Sequence, residues 1–212
     1  MTTIKIFTFN ALYENTYVLS DETNEAVIID AGCYTKEEEE QLKNYINTNN
    51  LKVVALLSTH SHVDHVLGNA FVKKHFNTKL YVHKIDADTL RGVKVYAPIY
   101  GFINYQESEQ DGYLEEGSIF KFGNTSLKIL FVPGHAPGHI AFYNEEEFYI
   151  IGGDVLFQNS IGRTDLPGGN FETLIKSIKT QFFTLKNEVK VYPGHGPFTT
   201  IGNEKKLNPF LN

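Results

Sequence analysis

Within six consecutive residues, His60-Ser61-His62-Val63-Asp64-His65, four side chains are of metal-ligand type. Imidazole and carboxylate are the donors that hold a hydrolytic divalent cation at neutral pH. The same kind of residue recurs downstream in a repeated setting. Val132-Pro133-Gly134-His135, Ile151-Gly152-Gly153-Asp154 and Tyr192-Pro193-Gly194-His195-Gly196-Pro197 each run from an apolar segment through a glycine turn to a ligand-type side chain. Glycine lets the backbone bend sharply and lets loops crowd together. A set of solvated polar loop residues would need no such repetition. His60, His62, Asp64, His65, His135, Asp154 and His195 are therefore the expected metal ligands.

These residues must be delivered by the elements around them. Lys52 to Ser58 holds the continuous apolar run Val53-Val54-Ala55-Leu56-Leu57, which suits a strand buried on both faces and leads into the histidine cluster. Strands are expected around Ile4–Phe9, Thr16–Leu19 and Ala26–Asp30. Others are expected at Leu80–Val82, Ser118–Phe122, Ser126–Val132, Ile140–Tyr143, Phe148–Ile151 and Val189–Tyr192. Thr35 with Glu38 forms a capping-box pattern for a helix whose apolar stripe is Leu42, Tyr45 and Ile46. Asp64 is expected to cap a helix running to about His75. Further helices are expected at 85–90 and 171–183. Residues 92–117 read as the least regular stretch, punctuated by glycines and rich in tyrosine. They suit either a lid or substrate wall, or aromatic packing onto the core. Two blocks of strands, each followed by helix, suggest two sheets packed face to face with helices outside.

Composition narrows the function classes. The 212 residues suit one domain spanning 1–212, and a hydrophobic content of 42% supports a sizeable core. A net charge of −6 argues against a nucleic-acid partner, which would require a basic surface. The acidic run Glu37 to Glu40 reads as a solvated helix face. The single cysteine, Cys33, allows no disulfide within the chain and reads as a small buried residue. No signal-peptide pattern and no apolar stretch of membrane-spanning length is present, so a cytoplasmic protein is expected.

The chain resembles a metallo-β-lactamase-fold hydrolase of the short, glyoxalase II-like (hydroxyacylglutathione hydrolase-like) type. The resemblance rests on Thr59-His60-Ser61-His62-Val63-Asp64-His65, Pro133-Gly134-His135-Ala136-Pro137-Gly138-His139, Gly153-Asp154 and Gly194-His195-Gly196. It implies an α/β fold, a four-layer αββα sandwich of two mixed β-sheets with helices on the outer faces. It also implies two divalent metal ions, zinc first, with iron or manganese as alternatives. His60, His62 and His135 would hold the first, Asp64, His65 and His195 the second, and Asp154 would bridge them. By the same resemblance His139 is a structural neighbour and not a ligand. The segment Ser160-Ile161-Gly162-Arg163-Thr164-Asp165 places Arg163 where it could meet a substrate carboxylate or phosphate, or pair locally with Asp165. Asp30 is a candidate partner for a ligand histidine, and His75 and His83 lie outside every motif.

The implied reaction is metal-dependent hydrolysis of a small-molecule acyl thioester, with Asp64 and Asp154 as the catalytic carboxylates. The chain ends seventeen residues past His195, without the C-terminal helical extension that supplies much of the glutathione site in longer glyoxalase II enzymes. The second reading is a persulfide dioxygenase with one non-haem iron on His60, His135 and Asp154. The third is a lactonase or other ester hydrolase. Leu166-Pro167-Gly168-Gly169 and the compact length place the hydrolase first. A flavin-linked diiron reductase would carry glutamate at position 62, where this chain has histidine.

Overall fold

The computed structural model describes residues 1–211. Six strands form the first sheet in chain order: β1 (Thr3–Phe9), β2 (Glu14–Ser20), β3 (Glu25–Ile29), β4 (Lys52–Leu57), β5 (Leu80–His83) and β6 (Gly112–Leu114). The first three pair antiparallel through short turns, and β3 to β6 run parallel. Parallel pairing needs crossovers. These are helix α1 (Lys36–Thr48), the pair α2 (Val63–Val66) and α3 (Asn69–Phe76), and α4 (Ala87–Tyr96).

The second sheet contains β7 (Ile119–Phe122), β8 (Thr125–Phe131), β9 (Ile140–Asn144) and β10 (Tyr149–Gly153). A two-stranded hairpin of β11 (Leu156–Phe157) and β12 (Ser160–Ile161) and a helix, α5 (Phe171–Ser177), come next. The chain then adds β13 (Lys190–Pro193) parallel to β10, β14 (Thr199–Thr200) at the sheet edge, and helix α6 (Ile201–Leu207).

Strand alternation sorts the apolar side chains into three layers of contact. Tyr17, Leu19, Val27, Ile29, Ala55 and Leu57 of the first sheet face Leu127, Ile129, Ile140, Phe142, Tyr149 and Ile151 of the second. Their neighbours Val18, Ala26, Ile28 and Leu56 point the other way, onto Leu42, Ile46, Val72 and Leu90 of the helices. On the far side, Leu130, Ala141, Ile150 and Val191 pack on Leu174, Ile178 and Ile201. The result is the expected αββα sandwich, and Val53 to Leu57 is a strand covered on both faces.

Several local expectations need correction. Asp64 does not cap the helix after the histidine motif. His62 occupies the N-cap position without a side-chain cap bond, and Asp64 lies inside the first turn of α2. The expected single helix to about His75 is broken at Leu67-Gly68, where Gly68 N–H donates to Ala31 O at 2.7 Å. A Cβ at Gly68 would fall 2.3 Å from Cys33 Sγ, so this approach requires glycine. The stretch 92–117 is more regular than its composition suggests. It completes α4, adds a 3-10 turn at Ala97–Tyr100, and contributes β6.

Cys33 is fully buried beside this break, and burial pushes its thiol well above the usual range. Phe142 lies entirely within the inter-sheet layer. Phe142→Ala should destabilise the fold by about 3–5 kcal/mol. Denaturant unfolding with an unchanged m-value is the check.

Candidate functional site

Strands from both sheets end at one edge of the sandwich, and the expected ligands lie there. The loop after β4 carries His60 and His62, and α2 carries Asp64 and His65. His135 follows β8, Asp154 follows β10 and His195 follows β13. The two sheets are tied at this edge by Ile140 N–H donating to Thr59 O at 2.9 Å.

Two trios of donor atoms result. In one, His60, His62 and His135 have their ligand nitrogens within 4.8 Å of one another. His62 Nδ1 and His135 Nε2 are 2.8 Å apart, a spacing at which two imidazole nitrogens need a shared proton or cation. In the other, Asp64, His65 and His195 meet the same limit, and His195 Nε2 is 3.1 Å from Asp64 Oδ2. Asp154 lies between the trios: Oδ1 is 3.6 Å from His65 Nε2, and Oδ2 is 3.5 Å from His135 Nε2 and 3.6 Å from His195 Nε2. His60 Nε2, His65 Nε2 and Asp154 Oδ1 are buried with no protein hydrogen-bond partner. Orphaned buried donor atoms converging in this way suit a bound cation.

The other ring nitrogens are occupied. His65 Nδ1 is 3.2 Å from Asp30 Oδ2, and His60 Nδ1 is 3.0 Å from Thr59 Oγ1. His135 Nδ1 is 2.7 Å from Arg163 O, and His195 Nδ1 is 3.2 Å from Tyr13 O. Such partners fix ring orientation and leave Nε2 free toward the centre. Asp30 is also within reach of His60 and His65 as a third acidic grouping. However, Oδ1 of Asp30 accepts from Thr59 N–H at 2.7 Å, and Oδ2 accepts from Thr59 O–H at 2.6 Å and faces His65, so its oxygens are spent on orientation.

His139 is not part of either trio. Its ring stacks on His60 at 4.6 Å, and its Nε2 accepts the Asp154 N–H at 3.0 Å. His75 stacks on Phe71, and His83 packs on Phe131, away from the site. The Arg163 guanidinium makes the local pair, with Nε and Nη2 each 2.7 Å from the Asp165 carboxylate.

Several site residues carry no motif. Asn15 Nδ2 donates to Pro193 O at 3.1 Å and Gly196 O at 2.8 Å, and the Tyr17 hydroxyl donates to Pro193 O at 2.6 Å. Thus β2 clamps the turn that carries His195. Glu14 is fully buried, accepts from Thr16 O–H at 2.9 Å, and has Oε1 3.9 Å from His65 Nδ1. Asp86, at the start of α4, is buried against Ser61 and Thr89, and burial raises its carboxyl to about 6. The only sequence sign of these groups is polar residues inside stretches that must be buried. At the turn before His195, a Cβ on Gly194 would lie 2.1 Å from Asp154 Oδ1, so this glycine is required by close approach.

His62, Asp64, His135, Asp154 and His195 form the floor of a cavity of about 880 Å³, with His60 and His65 buried beneath it. Leu12, Tyr96, Ile99, Tyr100, Phe157 and Leu166 are among its walls. The 92–117 stretch thus does both things its sequence allows. Tyr96 and Tyr100 line the cavity, while Phe102 is buried against Tyr34 with ring centroids 5.0 Å apart.

A family model described as the metallo-beta-lactamase superfamily matches residues 10–195. The chain belongs to the metallo-β-lactamase superfamily. It is 38% identical over 211 residues to the hydroxyacylglutathione hydrolase GloC of Haemophilus influenzae, covering 99% of this chain and 98% of that protein. Among solved structures it is similar to the BLEG-1 B3 metallo-beta-lactamase at 32% identity and a TM-score of 0.89, covering 99% of this chain and all of the other. It is also similar to TTHA1623 in a di-iron-bound form, at 36% identity and a TM-score of 0.87, covering 98% of this chain and all of the other. Membership places the chain among metallo-hydrolases whose fold binds divalent metal through His and Asp clusters. Among the described residues no helix is long and apolar enough to cross a membrane.

The two trios differ in proton affinity. Burial lowers His60, His62 and His135, with His62 brought to about 3, which favours their neutral rings. Burial also acts to lower His65 and His195, but Asp64 and Asp154 outweigh it and both rings are raised. Burial opposes ionisation of Asp154, yet the surrounding imidazoles hold its carboxyl well below the usual range. A metal on the Asp64 trio must displace protons that the His60 trio does not carry, so its affinity falls sooner as pH falls. If both trios hold a cation, metal content measured during acidification from pH 8 should fall in two steps, the Asp64 trio emptying first. Simultaneous loss of both would contradict this difference.

Proposed function

We propose that the protein is a binuclear metal-dependent hydrolase of acyl thioesters. His60, His62 and His135 hold one divalent cation, Asp64, His65 and His195 hold the other, and Asp154 lies between them. Zinc is the first choice and iron or manganese the alternatives. The observation that carries the reading is the placement of Asp154, with one oxygen toward His65 and the other toward His135 and His195, on the floor of an apolar cavity. Divalent cations bound there supply Lewis acidity and lower the pKa of water, so that hydroxide is available near neutral pH.

The residues around that centre bind and orient. Asp64 is opposed by burial but held ionised by His65 and His195, and its carboxylate lines the cavity. It can accept a hydrogen bond from an attacking water and set its direction. His139 fixes the Asp154 backbone, and the Arg163 carbonyl fixes the His135 ring. Tyr96 and Tyr100 line the cavity wall above this centre, where a substrate would lie.

The leaving group favours a thioester. With both floor carboxylates ionised and the histidines committed as ligands, the site holds no obvious general acid. A thiol ionises near about pH 8.5, so a thiolate departs without a proton, whereas an alkoxide does not. The relationship to a hydroxyacylglutathione hydrolase supports the same class. A mononuclear iron dioxygenase would use His60, His135 and Asp154 and would assign no role to the Asp64 trio, which is equally well oriented by Asp30 and Tyr13.

His60→Ala and Asp154→Asn should each lower thioester kcat by at least roughly 100-fold and reduce bound metal, with the circular dichroism spectrum retained. Wild-type rates in both variants would sink the proposed site. One iron per chain, with oxygen consumed on a persulfide, would replace the hydrolase with the dioxygenase.

A further inference from the structure

We propose that the cavity selects thioesters with uncharged thiol arms, and that Asp165 enforces this by occupying Arg163. The inference rests on the thioester reading above and goes beyond it to the substrate class. Hydrolysis breaks the C–S bond, forms a C–O bond from water, and yields a carboxylate, a thiol and one proton. The thiol arm must therefore lie along the cavity wall while the acyl carbon sits over the floor.

That wall offers little to an anion. Among the described residues, Arg163 is the one non-histidine cation lining the cavity. Two of its donors, Nε and Nη2, already meet the Asp165 carboxylate at 2.7 Å. This bidentate geometry is the one a substrate carboxylate would otherwise take. On the neighbouring helix α4, Arg91 is paired with Asp88 and Lys94 with Glu107. A thiol arm bearing carboxylates finds the wall's one arginine already paired and, among the described lining residues, no second Lys or Arg to meet it.

The rest of the lining suits a neutral arm. Leu12, Ile99, Phe157 and Leu166 provide apolar contact, and Gln158 and Ser160 provide uncharged hydrogen-bonding groups. An amide-bearing, uncharged thiol matches this mixture, because apolar walls with a few polar groups bind by burial and are oriented by those few contacts. The Arg163 side chain is 59% exposed and that of Asp165 68% exposed, so removing the Asp165 carboxylate frees the arginine without disturbing buried structure.

The test compares one acyl group on two thiols. Lactoyl-N-acetylcysteamine carries an uncharged arm, and S-lactoylglutathione carries a dicarboxylate arm. The metal-loaded wild type should show the higher kcat/KM on the first. Asp165→Asn should raise the glutathione-to-cysteamine ratio at least threefold, through KM. Asp165→Asn combined with Arg163→Gln should abolish that gain, which separates release of the arginine from a general loosening of the loop.

Direct binding supplies a second readout that needs no turnover. The non-hydrolysable thioethers S-hexylglutathione and S-hexyl-N-acetylcysteamine, titrated calorimetrically, should show the same preference and the same shift. A wild type that prefers the glutathione arm, or a ratio unmoved by Asp165→Asn, overturns the proposal. If neither thioester is turned over, the hydrolase reading fails, and the thioether titrations still decide whether Asp165 masks Arg163.

Discussion

Asp30 stands at the point where the first sheet turns into the site. It follows β3 with a φ of +54°, a left-handed conformation that costs a non-glycine residue energy. Its backbone N–H donates to Leu57 O at 3.0 Å, which ties it to the end of β4. Its carboxylate takes the N–H and O–H of Thr59 and faces His65 Nδ1. One buried side chain thus sets the path of the loop before His60 and the ring plane of His65. Thr59 in turn presents its carbonyl to Ile140, so the same residue that Asp30 holds also joins the second sheet.

The second sheet brings its ligands with a different device. His135 is oriented by the Arg163 carbonyl, and the turn at His195 is gripped by Asn15 and Tyr17 of β2. The first sheet therefore positions a residue that sits on the second, and the site is assembled only where both are docked. The apolar layer of Val27, Ile29, Leu57, Phe142 and Ile151 is what holds them at that spacing. Burial of this layer is non-directional, whereas the edge hydrogen bonds select the register.

Much of this is legible in the sequence. The ligand-bearing turns are visible because their composition is constrained twice, by donor chemistry and by crowding, as at Gly194 beside Asp154. The strand at Val53 to Leu57 is visible because burial on both faces leaves a continuous apolar run. The local helix chemistry is less so. Asp64 has the composition of an N-cap, but the pull of His65 and His195 keeps its carboxylate at the site. The partners supplied by backbone, such as the Arg163 carbonyl, leave no trace in residue type. Glu14 and Asp86 show only as acids within stretches that the fold buries.

Cys33 adds a chemical consequence. The chain's one thiol is sealed behind Gly68 and the turn after Ala31, and burial holds it protonated. Only a thiolate attacks an acyl carbon or a disulfide. A thiol or thioester in the cavity therefore meets no nucleophilic sulfur at Cys33, which is shielded from acyl exchange and mixed-disulfide formation by the same packing that fixes Gly68.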